Sequence, residues 1–134
     1  MVNIVCTAPD PDLCRKIGIA VDEVGECCVG NIHVISLDEV FDTYGEGIGH
    51  EFTVVGRVAL NVKLSKNEPR TVIIAHDLPY YYGCDDYVSE ILISVLHEIG
   101  HCNWEHWAYG RLMEETVEQW ALDQYGSMKE RGIL

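Results

Sequence analysis

The chain has 134 residues, 48% of them hydrophobic, which fits one globular domain with a core of its own. Its 22 acidic residues against 9 basic ones give a formal net charge of −13, which argues against nucleic acid and anionic membranes as partners. No segment approaches the length of a membrane span, and the N-terminus Met1-Val2-Asn3-Ile4 lacks the basic and apolar regions of a signal peptide, so a cytoplasmic location is expected.

Asn3 to Thr7 is a short apolar run that reads as a strand. Asp10-Pro11 supplies an N-cap followed by proline at the first helical position. The helix from Pro11 to Val24 would bury Leu13, Ile17, Ala20, Val21 and Val24, and Gly25 ends it. Asn31 to Ser36 reads as a strand, and Leu37 to Tyr44 as one or two helical turns closed by the segment Gly45–Gly49. Thr53 to Lys63 is β-branched and alternating, so a strand is expected, followed by a turn at Lys66-Asn67-Glu68 and a strand from Arg70 to His76. The loop from Asp77 to Cys84 contains Pro79 and the tyrosines Tyr80, Tyr81 and Tyr82. Asp85 or Asp86 then caps a mostly apolar helix running to about Asn103. A last helix spans about Arg111 to Arg131, interrupted or weakened near Gly126.

The six cysteines, Cys6, Cys14, Cys27, Cys28, Cys84 and Cys102, match no zinc-ribbon or C-x-x-C spacing. In a cell interior they are expected as reduced, buried small hydrophobes, with disulfides an alternative for a hyperthermophilic source.

The chemistry concentrates in His97-Glu98-Ile99-Gly100-His101. On a helix, residues four apart lie one turn apart on the same side, so both imidazoles can share one metal ion. The glutamate beside the first histidine can hold and deprotonate a water. The surrounding Val88, Ile91, Leu92, Val95, Leu96 and Ile99 mark a buried helix, on which polar groups cost free energy unless satisfied. A catalytic zinc needs a third protein ligand and one open position. A third histidine in H-E-x-x-H-x-x-G-x-x-H is excluded, because Trp104 and Trp107 stand at the downstream places and His106 falls one residue short. The alternative is a glutamate from the next helix, where Glu114, Glu115 and Glu118 are available. The apolar stripe Met113, Val117, Trp120, Ala121 and Met128 places Glu114 on its edge, Glu118 further round and Glu115 toward solvent. Helical phase therefore selects Glu114 as ligand, with Glu118 placed to accept the second N–H of a ligating histidine.

These residues give the chain a resemblance to the gluzincin metallopeptidases, whose signature is H-E-x-x-H followed by a helix bearing E-x-x-x-D or a close variant. The matching residues are His97 to His101 and then Glu114-Glu115-Thr116-Val117-Glu118. The run Glu114 to Ala121 is similar to the E-x-E-A-N-x-F-A segment of small regulatory and phage-type members, with Trp120 in place of Phe and Ala121 matching. The resemblance covers the last third of the chain. It departs from the pattern at Glu118, one methylene longer than Asp, and in the tight connection of 12 residues, 102–113. It implies an α+β, single zincin-like domain over residues 1–134: a small twisted mixed sheet packed on the active-site helix, followed by a C-terminal helix carrying the third ligand.

The expected function is zinc-dependent hydrolysis of a peptide or protein substrate, with Glu98 as general base. Tyr109 and His106, in the connection between the two helices, are candidate oxyanion donors. Substrate would lie along a sheet edge, with 53–63 the candidate strand and the tyrosine cluster a candidate lining. A deformylase is disfavoured, because the segment around Cys84 does not match the deformylase cysteine motif. From a different class, a non-catalytic zinc-binding regulatory or interaction protein on the same scaffold is the alternative. A fourth protein ligand would close such a site, and His106 and Cys102 are the residues to check. Cys102 is a poor candidate for it, pointing about 100° from His101.

Overall fold

The structure, a computed structural model, describes residues 2–25, 28–78, 86–102 and 111–134. Among these, four strands and five helices follow one another as β1 (Asn3–Cys6), α1 (Pro11–Val24), β2 (Val29–Ile35), α2 (Leu37–Tyr44), α3 (Glu46–Thr53), β3 (Ala59–Val62), β4 (Arg70–Ala75), α4 (Tyr87–Gly100) and α5 (Arg111–Glu130). The fold is α+β around one mixed sheet of order β1-β2-β4-β3. Strands β1, β2 and β4 run parallel, and β3 lies antiparallel to β4 at the edge.

Local chemistry explains the first elements. Asp10 accepts the Asp12 N–H at 2.9 Å, Pro11 opens α1, and Gly25 closes it at φ 81°. Ser36 and Glu39 form a reciprocal capping box at the start of α2.

The sheet is covered on both faces. Ile32, Val34, Val72 and Ile74 pack against α1 and α4, together with Ala121 and Met128 of α5. Ile35, Ile73 and Ala75 pack against Val40 of α2 and Phe52 of α3. This is why Thr71 to Ala75 is buried throughout, without alternation.

Three elements depart from expectation. The segment Gly45–Gly49 does not simply close α2 but opens a further helix, α3. Its glycine Gly49 seats against the Phe41 ring, leaving no room for a Cβ. The strand expected from Thr53 begins only at Ala59. Thr53 Oγ1 and the Val54 N–H are held by the Gly49 and His50 carbonyls of α3, and Val54 and Val55 stand exposed. The strand pairs Ala59 to Val62 with Ile74 to Thr71 of β4. Helix α5 continues through Gly126 without a break.

The cysteines also differ from the reduced expectation. Cys6 pairs with Cys14, and Cys28 with Cys102, at Cα separations of 5.7 and 5.8 Å. The second bridge joins residues 74 apart, tying the entry to β2 to the end of α4, which no sequence spacing reveals. Cys27 and Cys84 lie outside the described residues. No helix among the described residues is long and apolar enough to cross a membrane.

Candidate metal centre

Asp86 fixes the start of α4. It accepts the Ser89 N–H at 2.7 Å and the Ser89 hydroxyl at 2.8 Å. The helix buries Ile91, Leu92, Val95, Leu96 and Ile99 against sheet and neighbours, which turns His97, Glu98 and His101 to its remaining side. The two imidazole rings stand 5.0 Å apart at 70°. One potential ligand atom from each of His97, Glu98 and His101 lies within 4.8 Å of the others, a group that could hold a metal ion.

Helix α5 brings the second carboxylate. Val117, Ala121 and Met128 pack with α4, Met113 is also buried, and Glu114, next to Met113, is carried to the rim of the contact. Its Oε2 lies 3.1 Å from His97 Nε2 and its Oε1 3.2 Å from His101 Nε2. The histidine side chains are 13% and 20% exposed and the glutamate 58%, so the carboxylate closes two shielded imidazoles from the solvent side. Glu115 and Glu118 are exposed on the same helix. Glu118 reaches the cavity wall beside Glu98 and hydrogen-bonds neither imidazole among the described residues.

The electrostatics follow from burial. Burial, then the nearby Glu114 charge, raise the Glu98 carboxyl from 4.5 to about 7, against a smaller opposing pull from Arg57. Burial lowers the His101 pKa, with Glu114 opposing and His97, Arg70 and Arg57 reinforcing. A neutral imidazole is the form that ligates a metal.

A cleft of about 600 Å³ opens over these groups. Its far wall is the edge strand β3, together with Arg57, Arg70 and Glu51 of α3. Asn61 of β3 donates its amide to the Glu98 backbone carbonyl at 2.5 Å, and accepts from Arg70 at both its carbonyl and its side-chain oxygen, 3.3 Å each. Strand edge and helix are thereby joined at the motif itself. Asn61, Arg57 and Arg70 carry no signal in motif spacing, because the pairing of β3 with β4 delivers Asn61 and Arg70, and the contacts of the segment before β3 with Glu51 of α3 deliver Arg57. The expected oxyanion donors His106 and Tyr109, and the cluster Tyr80–Tyr82, lie outside the described residues. Cys102 is committed to Cys28 and takes no place beside His101 as a ligand.

The donor set could hold a metal ion: two imidazole nitrogens and a carboxylate face one another, with a further carboxyl alongside. Comparison with models of protein families, with curated proteins and with solved structures gives no match for this chain.

Proposed function

We propose that the chain is a zinc-dependent peptidase of gluzincin type on a single zincin-like domain, with His97, His101 and Glu114 as the metal ligands. The observation that carries this reading is the approach of both imidazole Nε2 atoms to the two oxygens of one carboxylate, Glu114, beside Glu98. When bound, the ion supplies Lewis acidity, making water acidic near neutral pH and polarising a carbonyl.

Glu98 does the proton work. A carboxyl whose pKa lies near 7 in the metal-free chain can both take and return a proton close to neutrality, and a cation beside it favours its base form. Glu98 receives the proton of the water that adds to the peptide carbonyl carbon, then delivers it to the amine as the C–N bond breaks. Asn61 positions Glu98 by holding its backbone carbonyl. The substrate backbone lies along β3, whose outer side is the edge of the described sheet and which forms the cleft wall. Partners are peptides or proteins; nucleic acid and anionic membrane are disfavoured by the charge of −13.

A non-catalytic regulatory protein with a closed zinc site is the second reading. It is favoured by one observation: Glu98 lies within ligand range of both histidines. Turnover of a broad peptide library by the zinc-loaded protein and by Glu98→Gln separates the two. The peptidase reading predicts cleavage by the wild type only, with zinc retained in both. Stoichiometric zinc with every peptide intact would sink it and leave the closed site.

A further inference from the structure

We propose that Arg57 makes the cleft select substrates bearing a carboxylate beside the bond to be cut, either a free C-terminus or an acidic side chain. This rests on the peptidase reading and names its substrate class.

The chain is acidic, with 9 basic residues against 22 acidic ones, yet Arg57 and Arg70 both stand on the walls of the cleft. They are not equivalent. Arg70 spends one terminal nitrogen on the two oxygens of Asn61. Arg57 is anchored differently: its N–H reaches the Glu51 carbonyl at 3.0 Å, and its Nε lies 3.3 Å from the Glu51 carboxylate. The two terminal nitrogens of its guanidinium make no hydrogen bond among the described residues, and its side chain is 57% exposed. The backbone and one edge of the fork are thus fixed, while the outer nitrogens are available. A guanidinium so presented matches a carboxylate in planar geometry.

Position makes the match useful. Arg57 lines both the main cleft and a second cavity of about 350 Å³ that shares His97, Glu98 and Glu114. An anionic group held there lies beside the reacting centre. A protein with a strongly negative surface repels anions at long range. Selection for a carboxylate therefore depends on a local cation, and Arg57 supplies it.

The test is equilibrium binding of fluorescent peptides to the zinc-loaded Glu98→Gln protein, in which turnover is suppressed. One pair differs as free C-terminal carboxylate against amide. A second, with amidated ends, differs as internal Glu against Gln. The proposal predicts that one carboxylate form binds on the order of tenfold more tightly than its neutral partner. The pair showing the effect identifies which carboxylate is read. Adding Arg57→Gln should bring that ratio near one, and Arg57→Lys should keep part of it, with zinc content unchanged throughout. The proposal is overturned by absence of preference, including absence of binding at millimolar peptide. It is also overturned by a preference that survives Arg57→Gln, which would place the carboxylate on the metal, or by equal weakening of all four peptides. Wild-type turnover of the preferred peptide reads out separately: selection by Arg57 without cleavage rejects the peptidase reading and leaves the carboxylate site standing.

Discussion

Gly100 of α4 and Trp120 of α5 approach so closely that a Cβ at Gly100 would lie 2.8 Å from Trp120 Cε3 and 3.0 Å from Val117 Cγ1. The absent side chain lets the two helices close on each other. That closeness carries Glu114 to the histidines. The glycine inside the histidine motif is therefore explained by packing against the helix that bears the second carboxylate.

Gly100→Ala is expected to destabilise the protein by about 1–3 kcal/mol through overpacking, despite the better helix propensity of alanine. It should also weaken zinc binding, because α5 must shift outward with Glu114. Thermal melts and zinc titration of the variant check both effects. A variant with full zinc affinity would show that the close approach does not set the site.

The metal-free protein should lose stability as pH rises from about 4.5 to about 7. The sign follows from Glu98, whose folded pKa is raised above its ordinary value. The folded state then holds that proton more tightly than the unfolded chain, so deprotonation favours unfolding until the folded pKa is passed. Glu98→Gln removes this contribution. Its chelator-treated melting temperature should exceed that of the wild type at pH 8 and approach it near pH 4, as measured by melts across that range.

Asp86→Ala should cost about 1 kcal/mol at neutral pH by uncapping α4. Hydrogen bonds from the Ser89 backbone and side chain lower the Asp86 pKa, so the cap's contribution is present above the ordinary 3.8 and lost as pH falls through the folded value. The difference between variant and wild type should shrink in denaturant titrations as pH falls below the ordinary value of 3.8. Ser89 also meets the Tyr125 hydroxyl of α5, so the cap supports the contact between the two helices that build the site.

Replacing Cys28 and Cys102 with serine should lower stability by roughly 3–5 kcal/mol, the range for a bridge closing a long loop. Peptide mapping without reductant should recover the two cysteines as one cross-linked fragment. Recovery of both as free thiols would remove the bridge from the account. His101 immediately precedes Cys102, so the double variant should also hold zinc less tightly.

Helices α1 and α2 have the same bounds in sequence and structure because their signals are local. Asp10-Pro11 and the Ser36/Glu39 pair specify starts that need no tertiary help. Helix α3 is illegible for the opposite reason. It contains Gly47 and Gly49, has no side-chain cap, and exists because Gly49 seats on Phe41. The pairing of β3 with β4 and the bridge between residues 74 apart are contacts between distant segments, and neither leaves a periodic trace. Within the candidate site, helix phase puts His97, Glu98 and His101 on one side of α4 and Glu114 at the edge of the apolar stripe of α5, while their meeting depends on the close packing of the two helices at Gly100. Arg57, Asn61 and Arg70 arrive from a strand edge and its flanks, where a residue's neighbours depend on register and not on spacing.

Zinc affinity, measured by competition titration on the wild type, Glu114→Ala and Glu115→Ala, tests the central claim most directly. The account predicts one tightly held zinc ion in the wild type and in Glu115→Ala, with stoichiometric binding lost in Glu114→Ala. Full affinity in Glu114→Ala, or loss in Glu115→Ala, would contradict the His97–His101–Glu114 centre.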